Sequence, residues 1–196
     1  MEKFTAKQEE RSALGIKRIG VFCGSSPRVP QHFTKMAYAV GECIANSGLT
    51  LIYGGGQQGS MGAVADGCLA GGGEVHGVIT SKLMAIEVGH AGLTSLAEKD
   101  NMATRRSALI DLSDAFLVLP GGVGTLDELF EVMTLNVLAE HNKPVGLLNC
   151  AGYYDALLDF LYQAVDAKFV SADGLQRLQV SADPDELLAA VVASDD

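Results

Sequence analysis

Tryptophan is missing from this 196-residue chain, proline occupies only 5 positions, and aromatic residues reach only 6 %. Positive charge is scarce as well: 14 Lys and Arg stand against 24 Asp and Glu, so the formal charge is 14 − 24 = −10. That balance argues against a generic binder of nucleic acid or anionic membrane, since both need a basic surface. A small anion stays open as a ligand if the few cations gather at one place. No apolar run approaches the ~18 residues of a membrane helix. Residues 1–15 are polar and mixed in charge, without the apolar centre of a signal peptide, so a cytoplasmic protein is expected. Cys23, Cys43, Cys68 and Cys150 lie far apart with no C-x-x-C spacing. They read as buried thiols of a reducing compartment. The four histidines show no paired ligand spacing, which speaks against a zinc site.

What the chain has in quantity is apolar surface and glycine. Hydrophobic residues make up 48 %, enough for one sizeable core and too much for a disordered chain. The 23 glycines cluster and have no period of three, which excludes collagen.

Short β-branched runs alternate with longer helical patterns. Strands are expected at 18–23, 49–53, 74–79, 115–119 and 145–148. Helices are expected at 31–47, 61–70, 101–113, 126–139 and 153–167, with a last one opened by Asp183-Pro184-Asp185. The segment 81–99 is the least regular and reads as a lid or an interface. Alternation with continuously apolar strands implies a doubly wound, Rossmann-like α/β fold, a parallel sheet with helices on both faces. The expected organisation is a polar tail over 1–15 and a single domain over 16–196. In such sheets ligands bind at the carboxyl ends of the strands, where both glycine loops fall.

The first loop, Gly54-Gly55-Gly56-Gln57-Gln58-Gly59, matches G-x-G-x-x-G by spacing. A dinucleotide site also needs an acid at the end of the following strand. Glu74 stands at that strand's start instead, and the end, Gly77-Val78-Ile79-Thr80, has none. The redox reading is therefore incomplete, and no Gly-Lys-Ser/Thr follows either loop to make a Walker motif. The second loop runs Pro120-Gly121-Gly122-Val123-Gly124-Thr125-Leu126-Asp127-Glu128 directly after the strand Ala115–Leu119. Converging glycine amides ahead of a helix make an anion cradle suited to phosphate. Thr125-x-x-Glu128 is equally a capping box, so both readings stand at this point. Met102-x-x-Arg105-Arg106 opens the preceding helix. Its arginines are either a solvated face or bidentate donors to an anion.

Taken together, Met102-x-x-Arg105-Arg106 and Pro120-Gly-Gly-x-Gly-Thr-x-x-Glu128 resemble the Lonely-guy family of cytokinin-activating phosphoribohydrolases, long mislabelled as lysine decarboxylases. The resemblance runs from Arg18 to about Val180. It includes Cys23-Gly24-Ser25-Ser26, Tyr53-Gly54-Gly55-Gly56, Gly59-x-Met61-Gly62, Lys143-Pro144-Val145-Gly146 and Gly152-Tyr153-Tyr154. It implies that Arg105 and Glu128 are the catalytic pair. Gly122, Val123, Gly124, Thr125, Leu126 and Asp127, with Glu128, would form the nucleotide loop, and Glu87, Arg106 and Thr134 would be further substrate contacts. The implied reaction is hydrolysis of the N-glycosidic bond of a nucleoside 5′-monophosphate to base and ribose 5-phosphate. It needs no metal or organic cofactor, and the implied assembly is a homodimer with sites near the interface. Two positions depart from the family pattern. Leu135-Asn136 follows Thr134 where Trp and Gln are common, and Thr80 replaces a common Pro. They bear on base preference, so a general AMP nucleosidase and a non-catalytic nucleotide-sensing module stay as alternatives. The helix over 126–139 also carries more apolar residues than one ~100° stripe needs, which independently suggests a partner surface.

Overall fold

Four-residue runs such as Ala115–Val118 and Val145–Leu148 are buried at every position, because they lie inside a sheet covered on both faces. The computed structural model describes residues 15–194. The tail expected over 1–15 falls, save for Gly15, outside the described residues. Seven parallel strands form one sheet: β1 (Arg18–Phe22), β2 (Thr50–Tyr53), β3 (Val75–Thr80), β4 (Ser95–Lys99), β5 (Ala115–Val118), β6 (Val145–Leu148) and β7 (Leu178–Ser181), in the order β4-β3-β2-β1-β5-β6-β7. The helices are α1 (Gln31–Asn46), α2 (Gly59–Ala70), α3 (Ser81–Glu87), α4 (Met102–Leu112), α5 (Val123–Val137), α6 (Asp155–Asp166), α7 (Ala172–Gln176) and α8 (Pro184–Ala193).

Successive strand residues point to opposite faces and build two cores. On one face Ile19, Val21, Leu51, Tyr53 and Leu117 pack against α1, α2 and α8. On the other, Phe22, Ile52, Val78, Phe116 and Val118 pack against α4, α5 and α6. The α1–α2 crossing is tight enough that a Cβ on Gly41 would lie 2.1 Å from the Val64 carbonyl oxygen, and one on Gly67 would lie 2.0 Å from that of Tyr38.

The expected doubly wound sheet is therefore present, with three corrections in detail. The irregular segment 81–99 is α3 followed by β4. Thr80 caps α3 by accepting from the Leu83 amide at 3.3 Å, a role proline cannot fill with its side chain. A second unforeseen pair, α7 and β7, closes the other edge. Helix α5 starts at Val123 rather than Leu126, with Gly122 as its N-cap. Elsewhere the boundaries differ by one or two residues.

The chain runs β1 to β4 outward on one side and then crosses back to β5 on the other side of β1. The strand order reverses between β1 and β5, and the crevice beyond their carboxyl ends is the ligand position for this architecture. The loop after β1 and the Pro120–Gly122 turn face each other across it, joined by the Gly24 amide donating to the Pro120 carbonyl at 3.2 Å.

Candidate active site

A cleft of about 570 Å³ opens at this switch point. The Gly24-Ser25-Ser26 loop, the first turn of α5, Arg105 and Glu128 line it, together with apolar groups at both ends. Arg105 is 4 % exposed and sits on α4. Its guanidinium is fixed on three sides. Nε donates to the Val78 carbonyl at 2.9 Å, Nη2 to the Gly54 carbonyl at 3.3 Å, and Nη1 to Glu128 Oε1 at 3.4 Å. The two carbonyls come from β3 and from the end of β2, so the sheet itself orients this side chain. Burial without such acceptors would be prohibitive for a cation.

The same contacts explain the first glycine loop. A Cβ on Gly54 would come within 2.4 Å of Arg105 Nη2, so the glycine is room for the guanidinium. Gly55 and Gly59 hold positive φ angles of 82° and 61°. None of the residues 54–59 lines the cleft. The G-x-G-x-x-G spacing thus serves packing, and the dinucleotide reading loses its phosphate loop.

The second loop behaves differently. Thr125 is not the N-cap; it lies in the first turn of α5 and is buried, and Gly122 caps the helix with no side-chain hydrogen bond. Glu128 is therefore the sixth residue of the helix, past the N3 position that a capping box requires, and its carboxylate reaches Arg105. This overturns the capping-box alternative. With no N-cap side chain bonded to them, the first-turn amides of α5 point outward with the positive end of the helix dipole behind them. Cβ atoms built on Gly122 and Gly124 meet nothing within 4 Å, so these two glycines leave open space in front of those amides.

The other expected residues separate into two groups. Asp127 lines the cleft and pairs with Arg106 at 3.3 Å. Arg106 also approaches Glu131 at 2.8 Å, in an ion pair poorly aligned for a hydrogen bond, and does not line the cleft. Thr134 is exposed on α5 and away from the cleft of its own chain. Glu87 closes α3, and its side chain lies outside the described ones. Phe33 and Tyr153 were given no role by sequence, yet both line the cleft and meet edge-on with ring centroids 5.3 Å apart. The motif Gly152-Tyr153-Tyr154 was the available signal for Tyr153. Among the described residues no group of three or more His, Cys, Asp or Glu is placed to hold a metal ion.

Residues 61–191 match the family model described as possible lysine decarboxylase. The chain is 41 % identical over 176 residues to a cytokinin riboside 5′-monophosphate phosphoribohydrolase of Rhodococcoides fascians, covering 89 % of each protein. It is also 41 % identical over 162 residues to an enzyme of the same name from Arabidopsis thaliana, covering 83 % of this chain and 75 % of the relative. Among solved structures, a molybdenum cofactor binding protein from Rippkaea orientalis superposes with a TM-score of 0.69 at 23 % identity, covering 91 % of this chain and 96 % of that one. At that identity the likeness concerns the fold alone.

Proposed function

The chain belongs to the Lonely-guy family of phosphoribohydrolases, and on that premise we propose that it hydrolyses the N-glycosidic bond of an N6-substituted adenosine 5′-monophosphate, such as a cytokinin riboside monophosphate. Free base and ribose 5-phosphate are the products. The observation that carries this reading is the buried Arg105–Glu128 pair beside the start of α5, in the switch-point cleft. The phosphate takes the first-turn amides of α5. As the C1′–N9 bond breaks, its electron pair leaves with the base and positive charge grows on the ribose, as in other glycoside hydrolyses. Glu128 faces that charge, and water supplies the new oxygen at C1′. Arg105 pairs with Glu128 and aims its carboxylate. Three of its five N–H groups are taken, which leaves one on each terminal nitrogen for a substrate oxygen. Met102, one turn before Arg105, and Leu83 offer apolar surface for the base and its substituent. Among the described residues no lysine lines this cleft, whereas a pyridoxal-dependent lysine decarboxylase needs one for its Schiff base.

Incubation with isopentenyl-AMP and with AMP, read as ribose 5-phosphate release, tests the proposal. Release from both, faster from isopentenyl-AMP, is the expected result. Equal rates would instead mark a general AMP nucleosidase, and binding without release a sensor.

The proposed assembly is a homodimer in the cytoplasm; its partners are this second copy and the nucleotide rather than nucleic acid. Phe130 and Val137, 37 % and 63 % exposed, share one stripe of α5 with Thr134, and the C-cap Leu138, 64 % exposed, follows it. A second copy covering that stripe would carry Thr134 toward a neighbouring site. Light scattering should give twice the mass of one chain, and Val137→Asp with Leu138→Asp should return it to a single chain. A monomeric wild-type protein at micromolar concentration would refute the dimer.

A further inference from the structure

Three successive carbonyls lead into the turn before α5, and each has its own donor. The Tyr154 hydroxyl donates to the Leu119 carbonyl at 2.8 Å, the Gly24 amide to that of Pro120 at 3.2 Å, and the Tyr153 hydroxyl to that of Gly121 at 2.8 Å. The two tyrosines are adjacent in sequence and meet edge-on, with centroids 4.9 Å apart. They project from a short 3₁₀ turn, Cys150–Gly152, in which Ala151 holds φ 54° and Gly152 φ 67°. A left-handed alanine is uncommon and costs backbone energy, so the turn is held by its surroundings. Asn149 secures it by accepting from the Tyr154 amide at 2.7 Å and donating to Asp155 at 2.7 Å.

We propose that Tyr153 is a positioning residue for phosphate recognition: with Tyr154 and Gly24 it occupies the Leu119–Gly121 carbonyls as acceptors, so that the N–H groups of the α5 first turn, and not these oxygens, are offered to the anion. The inference rests on the phosphate position proposed above. A carbonyl oxygen facing an anion repels it, whereas a uniform donor surface attracts it. Tyr154 is buried and holds the far end of the turn. Tyr153 is 45 % exposed and lines the cleft, so its hydroxyl can be removed without opening a cavity.

The test is Tyr153→Phe, which keeps the ring packing on Phe33 and Tyr154. Calorimetry would measure AMP, ribose 5-phosphate and adenosine binding to the whole protein, alongside kcat and KM for AMP. Loss of one hydrogen bond that orders the turn should weaken AMP and ribose 5-phosphate about tenfold, near 1.4 kcal/mol. Adenosine binding should hold, and the kinetic loss should fall on KM rather than kcat. Unchanged AMP and ribose 5-phosphate affinity would overturn the proposal. So would an equal loss for adenosine, which would mark a merely structural tyrosine. If the wild-type protein binds AMP in a Tyr153-dependent way but never releases ribose 5-phosphate, the positioning role stands and the hydrolase reading falls. If it does not bind AMP at all, both fall.

Discussion

Glu128→Gln should cut turnover by ~10²–10³, the scale of losing one preorganised electrostatic stabiliser. Glutamine keeps the shape and an oxygen that still accepts from Arg105 Nη1, so the geometry at 3.4 Å survives. What goes is the negative charge facing the ribose as the glycosidic bond opens. AMP affinity should hold or rise, because an anion near the phosphate has been neutralised. Stability should fall modestly, since the buried guanidinium retains its two carbonyl acceptors; about 1 kcal/mol moves the midpoint by roughly 2–4 °C in a chain of this size. With Gly122 as the helix cap, Glu128 has no capping role to confuse the result. Turnover and thermal midpoint measured on one sample decide it, and near-wild-type turnover would remove Glu128 from catalysis.

Arg105→Ala should be severe in both activity and stability. It strips donors from the Val78 and Gly54 carbonyls and leaves the carboxylate of Glu128, 12 % exposed, without its cation. Breaking a buried pair by removing one partner costs about 3–5 kcal/mol. Turnover should fall at least as far as in Glu128→Gln, because the carboxylate then loses the cation that aims it. Arg105→Lys is the sharper experiment. A single ammonium cannot reach three acceptors in fork geometry, so it should restore charge without restoring rate. Urea unfolding and turnover together check this. Full activity in the lysine variant would show that charge alone, and not the threefold anchoring, is required.

How legible the fold was depends on where an element sits. Strands β1, β2, β3, β5 and β6 are interior and mostly buried and apolar, so sequence located them within a residue or two. β4 and β7 are the two edge strands. Their sequences, Ser95–Lys99 and Leu178–Ser181, are half exposed and lack that pattern, which is why 81–99 looked irregular and β7 went unforeseen. The site was legible in its parts but not in its assembly. Spacing identified the second glycine loop and the paired arginines, while family resemblance assigned Arg105 and Glu128. Spacing had no means to show that residues 23 positions apart meet beneath the cleft. Thr125-x-x-Glu128 misled because a capping box and a catalytic glutamate satisfy one spacing. The structure removes the capping box, because the helix starts at Val123 with Gly122 as its N-cap. The first glycine loop misled for a related reason: close approach of a side chain and close approach of a phosphate both call for glycine.

The anchoring of Arg105 to main-chain oxygens sets unequal freedom to vary at its two supports. Every residue type offers the same carbonyl, so position 78 can exchange one apolar side chain for another and still serve the guanidinium. Position 54 offers the same carbonyl but must leave the space above it empty. An evolving lineage can therefore drift at one support, whereas any side chain at the other displaces the guanidinium it supports, although neither residue lines the cleft.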